Sequence, residues 1–378
     1  MNILILFSQP WRVGGAETHV EALIKGLADH KIILAVNRGS NNEKLQKIRQ
    51  EYENIEIIEV QARGINIFQW IMDLYKLAGI IKNKQIQIIS AQQRTAGIWA
   101  CFLNKFTNVP FIVTMHDPWH RALCKQIYSN IFPIMIVVSQ SLNNLLMDKF
   151  GFKAEQIHFV NNGIDFDLFV PQDKILARNI LGLSKTDEII LHVSRLSNVK
   201  GAVSLALIDS MYRVVSQRGL SKLIIIGEGP LRAELEQKVE TFNQKYGNVI
   251  EIKDFVNNIS DWYNASDVIV GEGRVAIEAI ACGRPVVAIR NGKHFFGIVD
   301  DENISMATEV NFDGITYQVT PEQVAKEIDK AFQATRIQAE KISRYIRERL
   351  GIAEMAQKYQ DLFKKRIRGN AYEKNSSD

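Results

Sequence analysis

MNILILFSQPWRVGGAE, Met1–Glu17, opens the chain, and its reading decides the fold. Asn2–Phe7 is a continuous apolar run, which suits a strand buried on both faces rather than one with a solvated side. Gly14-Gly15 follow, and a helical pattern begins near Ala16 and runs to Asp29. Strand, glycine turn and helix form the first half of a β-α-β unit, whose strands lie parallel. Paired glycines let a backbone approach a ligand closely, and a helix N-terminus offers N–H groups to an anion. The same pattern also serves as a tight turn with no ligand.

Working outward, the unit repeats. Further strands are expected at Lys31–Val36, Ile55–Val60, Ile86–Ser90, Phe111–Thr114, Ile134–Val138 and Ile157–Phe159, with helices at Ile67–Lys82, Arg94–Lys105 and Gln140–Lys149. After the turn-rich stretch Asn161–Asp173 the alternation restarts. Strands are predicted at Glu188–Val193, Lys222–Ile226, Val249–Ile252, Val268–Val270 and Pro285–Ile289. Helices are predicted at Ala202–Gln217, Leu231–Lys245, Val275–Ala281, Pro321–Ala334 and Gln338–Leu350. The β-α pattern thus runs twice, with a hinge near 162–186, and 378 residues suit two domains. The expected architecture is α/β, with two doubly wound parallel sheets facing across a cleft, because ligands of such sheets bind beyond the strands' carboxyl ends. The domains are expected at 1–168 and 169–350. A last helix over 352–368 puts Ile352, Met355, Tyr359, Leu362 and Phe363 on one stripe, so it packs on a domain surface. The polar tail 369–378 is expected to be disordered.

Composition narrows the function classes. Hydrophobic content of 46% and charged content of 23% are those of a globular protein, and a net charge of +4 does not call for nucleic acid. Cys101, Cys124 and Cys282 have no metal-ligand spacing and are too few for a disulfide framework, which points to a reducing compartment. The start lacks a basic n-region, and no stretch approaches the roughly 20 apolar residues of a membrane span. A cytoplasmic protein is expected.

Five segments carry candidate chemistry. Gly14 and Gly15 head the first helix. In LHVSRLSNVKG, Leu191–Gly201, a strand delivers Arg195 and Lys200 to the loop before a helix. There a forked guanidinium and a point charge suit a diphosphate. IIIGEGPLRAEL, Ile224–Leu235, resembles a dinucleotide fingerprint but has Arg232 where a third glycine belongs, so Gly229 reads as part of a strand-to-helix turn lining the ligand edge. VGEGRVAIEAIACGRPVVA, Val270–Ala288, places Glu278 among apolar neighbours, where a carboxylate needs partners such as sugar or ribose hydroxyls. TMHD, Thr114–Asp117, ends a strand with His116. His120 stands four residues on, but no further ligand is in sight and a metal site is not expected.

Taken together and in order, GGAE, T-x-H, VVSQSL (Val137–Leu142), FVNNGID (Phe159–Asp165), HVSRLSNVKG, LIIIGEGPLRAELE and EAIACGRPVVA resemble the family-4 glycosyltransferases of the GT-B fold, over nearly the whole chain. The resemblance implies two Rossmann-like domains and a retaining, hexosyltransferase-type enzyme. Its donor would be a nucleotide diphosphate sugar, such as a UDP- or GDP-sugar, and its acceptor a glycan, a lipid-linked or a small molecule. Gly14 and Gly15 would face the donor phosphates. Arg195 and Lys200 would hold the diphosphate and stabilise the leaving nucleotide without a metal or other cofactor. Glu278 would bind ribose hydroxyls, and His116 would contact the donor sugar. One departure stands out: the family's first glutamate of this segment falls on Val270. Glu272 lies two residues later and does not simply replace it. Gly271, Gly273 and Arg274 are the remaining candidates for holding the sugar. Acceptor choice would rest on loops near 37–42, 61–66 and 117–124.

Other readings are a GT-B epimerase or hydrolase acting on the nucleotide sugar, or a catalytically silent GT-B binding protein, for which the loss of that glutamate is the hint. A dehydrogenase is disfavoured because the first β-α turn lacks G-x-G-x-x-G. Lys364, Lys365, Arg366 and Arg368 point weakly to peripheral contact with a membrane, although cations at a helix end also favour the dipole.

Overall fold

A computed structural model describes residues 1–12, 14–62, 66–119, 122–219, 221–290, 294–313 and 319–375. The chain divides into two compact units, Met1–Gly163 with Ile352–Asp378, and Ile164–Gly351.

In the first unit the strands are β1 (Asn2–Pro10), β2 (Lys31–Asn37), β3 (Ile55–Val60), β4 (Ile88–Gln92), β5 (Phe111–Met115), β6 (Met135–Val137) and β7 (Ile157–Phe159). They form one parallel sheet in the order β3-β2-β1-β4-β5-β6-β7. The helices are α1 (Gly15–Gly26), α2 (Asn42–Glu51), α3 (Ile67–Asn83), α4 (Arg94–Thr107), α5 (Ile127–Ile131) and α6 (Gln140–Phe150). Every residue from Ile3 to Phe7 is fully buried, as a central strand covered on both faces requires. Leu77, Ile81, Trp99 and Leu103 of α3 and α4 pack on one face of the sheet, with Leu4 and Leu6. Val20 and Leu23 of α1 cover the other face with Ile3 and Ile5.

In the second unit the helices are α7 (Lys174–Leu181), α8 (Gly201–Arg218), α9 (Arg232–Tyr246), α10 (Ile259–Ala265), α11 (Arg274–Ala281), α12 (Ile304–Glu309), α13 (Pro321–Phe332) and α14 (Arg336–Arg347). The strands are β8 (Glu188–Val193), β9 (Ser221–Ile226), β10 (Ile250–Lys253), β11 (Val268–Gly271), β12 (Val286–Arg290) and β13 (His294–Ile298). Their order is β10-β9-β8-β11-β12-β13. All neighbours are parallel except β12 and β13, so an antiparallel edge strand closes a sheet that the sequence pattern predicts as wholly parallel.

The division after Gly163 falls ahead of the 168/169 boundary read from the sequence. Ile164 bridges to Gly351, donating its N–H to the Leu350 carbonyl at 2.8 Å, and both Ile164 and Phe169 enter the second unit's core. The last helix, α15 (Ile352–Asn375), belongs to the first unit, where Met355, Tyr359, Leu362 and Phe363 are buried against α1 and the sheet. Gly26 gives it room: a Cβ there would lie 2.6 Å from the Ala356 side chain. The helix also continues past Gly369 to Asn375, where the sequence predicts a disordered tail from 369. One glycine costs a helix about 1 kcal/mol relative to alanine, and the flanking Arg368, Asn370 and Ala371 carry no breaker to add to it.

Candidate functional site

The second unit builds its polar edge at the carboxyl ends of β8, β9, β11 and β12. β8 runs into Ser194 and Arg195, and the loop then turns through Leu196 to Lys200, which caps α8. Two glycines hold this loop. A Cβ on Gly227 would lie 1.8 Å from the Ser194 carbonyl oxygen, and one on Gly229 2.5 Å from that of Leu196. Backbone hydrogen bonds from Leu196 N–H to the Glu228 carbonyl (2.8 Å) and from Leu231 N–H to the Leu196 carbonyl (2.9 Å) lock the loops together. The G-E-G sequence is therefore a backbone-to-backbone contact that fixes the loop bearing Arg195. Arg195 itself is exposed and makes no ion pair among the described residues.

Lys200 is engaged. Its Nζ lies 3.1 Å from Oε1 of Glu272, whose Oε2 is 3.3 Å from Nε of Arg290, and Arg290 in turn pairs with the buried Asp313. Four charges of alternating sign thus run from the α8 N-terminus to the end of β12. Gly273, with φ +53°, precedes α11 in a conformation that favours glycine. Its N–H already donates to the Asn311 carbonyl at 3.1 Å.

Glu278 is buried, and both its oxygens are occupied. Oε1 accepts from Arg274 Nε at 3.1 Å and pairs with Nη2 at 3.0 Å, while Oε2 accepts from the Tyr263 hydroxyl at 3.1 Å. Burial raises the Glu278 carboxyl above its ordinary range, and the Arg274 charge opposes that. Tyr263 is pushed well up, first by burial and then by the Glu278 charge. Beneath them, His192 donates from Nδ1 to the Val270 carbonyl at 2.8 Å, while its buried Nε2 has no partner among the described residues. Burial lowers its pKa to about 4.

The first unit places a second cluster at the ends of β1, β4 and β5. α1 starts at Gly15 without a side-chain cap, and a Cβ on Gly15 would meet no atom within 4 Å. Gly14 is extended and lies against the Glu17 side chain. His116 follows β5, and its Nε2 meets Oε1 of Gln92 at 2.8 Å. Since the Gln92 amide nitrogen donates to Ser90 at 3.0 Å, Oε1 is the acceptor and His116 carries its proton on Nε2. The His19 ring stands edge-on to His116, with centroids 4.6 Å apart. Burial, and after it the His19 charge, lowers the His116 pKa well below its ordinary value, so the imidazole is neutral. His19 is wholly buried between Oδ1 of Asn162 and the Tyr359 hydroxyl, both at 2.9 Å, and that hydroxyl also meets Thr114 at 2.9 Å.

The candidate residues therefore fall into two local groups: Gly14, Gly15 and His116 in the first unit, and Arg195, Lys200, Gly229, Gly271, Glu272, Gly273, Arg274 and Glu278 in the second. Arg290, Asp313, Tyr263, His19, Gln92 and Tyr359 were not legible as partners of these. Tyr359 had a signal, its place on the stripe of the last helix, and His19 lies one helical turn from Ala16 and from Leu23 on α1. His120 lies outside the described residues. Among those residues no group of three or more His, Cys, Asp or Glu side chains gathers as a metal site would require. None of their helices is long and apolar enough to cross a membrane.

A family model described as Glycosyltransferase Family 4 matches residues 13–168, and one described as Glycosyl transferases group 1 matches residues 187–333. The chain is thus built of a family-4 and a group-1 glycosyltransferase domain. A curated relative, D-inositol 3-phosphate glycosyltransferase 2 of Catenulispora acidiphila, is 32% identical over 163 residues, which is 39% of this chain and 38% of the relative. The chain thus spans about two fifths of the length of the curated relatives it matches. Among solved structures, a glycosyltransferase from Rickettsia africae superposes with a TM-score of 0.74 at 19% identity, covering 97% of this chain and 98% of that one. HepE of Anabaena, solved in complex with UDP, superposes at 0.77 and 19% identity, covering 97% and 100%. At such identities the likeness establishes the fold, which is GT-B.

Proposed function

We propose that this chain transfers a sugar from a nucleoside diphosphate sugar, a UDP- or GDP-sugar, to a carbohydrate, lipid-linked or small-molecule acceptor, with retention of anomeric configuration. The unit Ile164–Gly351 takes the donor, and the unit containing Met1–Gly163 takes the acceptor. One observation carries the reading: Arg195 is exposed and unpaired among the described residues, on a loop locked by Gly227 and Gly229 and beside Lys200. Two cations so placed stabilise the charge that grows on a departing diphosphate, with no metal required. The uncapped first turn of α1 at Gly15 suits an anion, and the neutral His116 suits a sugar hydroxyl. HepE of Anabaena has also been solved with UDP-glucose, which supports a donor of this class. Three unpaired cysteines fit work in a reducing compartment.

A second reading, a silent binding protein, draws on Glu278, whose oxygens are already taken by Arg274 and Tyr263, and on the apolar Val270. Thermal shift with UDP, GDP and dTDP and their sugars, followed by product analysis with and without acceptor, separates the readings. A nucleotide that binds the folded chain raises its melting temperature. Transfer only with acceptor supports the proposal. Free sugar or an epimer without acceptor would replace it with hydrolysis or epimerisation, and binding without any product would leave the silent protein.

A further inference from the structure

The last helix delivers one polar atom to the interior of the first unit. Tyr359 lies on the buried stripe of α15 and is itself fully buried. Its hydroxyl stands 2.9 Å from Nε2 of His19 and 2.9 Å from Oγ1 of Thr114, and it also bonds the side-chain amide of Gln92. Gln92 ends β4, is fully buried, and is the partner of His116. A phenol from the far end of the chain is thus separated from that histidine by a single side chain.

A hydroxyl has one proton to give and two lone pairs, so these bonds have a direction. Asn162 meets His19 through Oδ1, which only accepts. Nδ1 of the neutral ring therefore carries the proton, and Nε2 takes the one from Tyr359. The Tyr359 oxygen is left to accept, from Thr114 and from the Gln92 amide nitrogen. The other N–H of Gln92 goes to Ser90 at 3.0 Å, which leaves Oε1 for the Nε2–H of His116. Ser90 alone does not impose this order, because a serine hydroxyl serves an amide equally as donor or acceptor. Without the Tyr359 oxygen the amide is free to turn over, offer its nitrogen to His116 and move the imidazole proton to Nδ1. Nδ1 makes no hydrogen bond among the described residues, and His116 is partly exposed. We infer that Tyr359 is a positioning residue: its hydroxyl fixes the Gln92 amide, keeps the His116 proton on Nε2, and holds Nδ1 open to accept a hydrogen bond from a sugar hydroxyl. The sugar hydroxyl rests on the proposed transfer reaction; the place of the proton does not.

Long-range proton–nitrogen correlation spectra of the full chain, carrying isotope-labelled histidine, test the inference. They need no substrate, so their outcome is separate from that of any transfer assay. His116→Gln assigns the His116 signals. In the wild type at neutral pH, Nε2 should resonate as a protonated nitrogen and Nδ1 as a bare one. Tyr359→Phe keeps the ring and removes the oxygen, and it should draw the two His116 signals toward each other as both tautomers become populated. Ser90→Ala should leave them where they are in the wild type. In a transfer assay Tyr359→Phe should lower turnover roughly three- to tenfold, the worth of one neutral hydrogen bond, with UDP affinity unchanged. A purely structural tyrosine would lower the melting temperature of that variant and leave the tautomer alone. The inference is overturned if wild-type His116 is protonated on Nδ1, if Ser90→Ala loses the wild-type signals, or if Tyr359→Phe, folded by circular dichroism, retains them. Should Tyr359→Phe fail to fold, the wild type and Ser90→Ala still decide the matter.

Discussion

The ammonium of Lys200 lies 3.1 Å from a carboxylate oxygen of Glu272, and Glu272 is held from its other side by Arg290 at 3.3 Å. A cation assigned to a diphosphate is thus already paired within its own unit. Glu272 keeps Lys200 in place, yet competes with any anion that approaches it. Arg195 has no such competitor among the described residues, so under the proposed function the two cations would divide the work: Arg195 would meet the incoming anion, and Lys200 would be exchanged onto it.

Removing either cation should weaken binding of the nucleoside diphosphate. A hydrogen bond to a charged group contributes about 1.5–3 kcal/mol, so Arg195→Ala and Lys200→Ala should each lower affinity roughly ten- to a hundredfold and reduce turnover. Arg195 is exposed, and its loss should leave the melting temperature nearly unchanged. Isothermal titration with UDP and GDP measures the effect, and full activity in the double variant would refute the assignment.

Glu272→Gln acts in the opposite direction on binding. Partly exposed ion pairs contribute about 0–1 kcal/mol, so releasing Lys200 should tighten nucleoside diphosphate binding by up to roughly fivefold. Arg290 keeps Asp313 as its partner, so the fold should tolerate the change. Weaker binding in this variant would show that Glu272 orients Lys200 rather than competes for it.

His192 sets a dependence of stability on pH. Its pKa is about 4 in the folded protein and about 6.5 when unfolded. A depressed folded value means that the unfolded chain binds the proton first, so stability is fully present above pH 6.5 and declines as pH falls toward 4. The loss amounts to about 3 kcal/mol over that window, at roughly 1.4 kcal/mol for each pKa unit. His116, also depressed by burial, adds to the same trend. Melting temperature should fall more steeply between pH 6.5 and 4 in the wild type than in His192→Phe.

Much of the fold was legible because its strands are continuous apolar runs. Ile3–Phe7, Ile190–Leu191 and Ile224–Ile226 are buried on both faces, and such runs declare themselves without context. Elements that bury few apolar side chains did not. α2 buries only Leu45 and Ile48, and α7, though apolar in sequence, buries only Ala177 and Arg178, whose guanidinium donates to the Ala265 carbonyl at 2.8 Å and meets Asp267 at 2.7 Å. β13 is an edge strand, paired on one side alone. At the polar edges, Arg195 and Lys200 stood out because they follow a strand directly. His19 and Tyr359 meet only through folding, 340 residues apart, and no local pattern marks such a pair. Glu278 was legible as a buried acid in need of partners, but not that Arg274 and Tyr263 of its own unit would meet that need.

Arg274 and Glu278 provide the sharpest separation between structure and binding. Their side chains are only 16% and 11% exposed, one helical turn apart, and Tyr263 completes the carboxylate's hydrogen bonds. Arg274→Ala leaves Glu278 buried beside a phenol alone, and breaking a buried pair from one side costs about 3–5 kcal/mol. Protonation of Glu278, already favoured by burial, offsets part of that loss. The destabilisation relative to the wild type should therefore be markedly larger near neutral pH than in mild acid. Arg274→Met with Glu278→Gln removes both charges at similar volume and should recover most of the stability in urea denaturation. If Glu278 also serves ribose hydroxyls, that double variant will fold and still bind nucleoside diphosphate weakly. If it binds as the wild type does, Glu278 is a structural acid only.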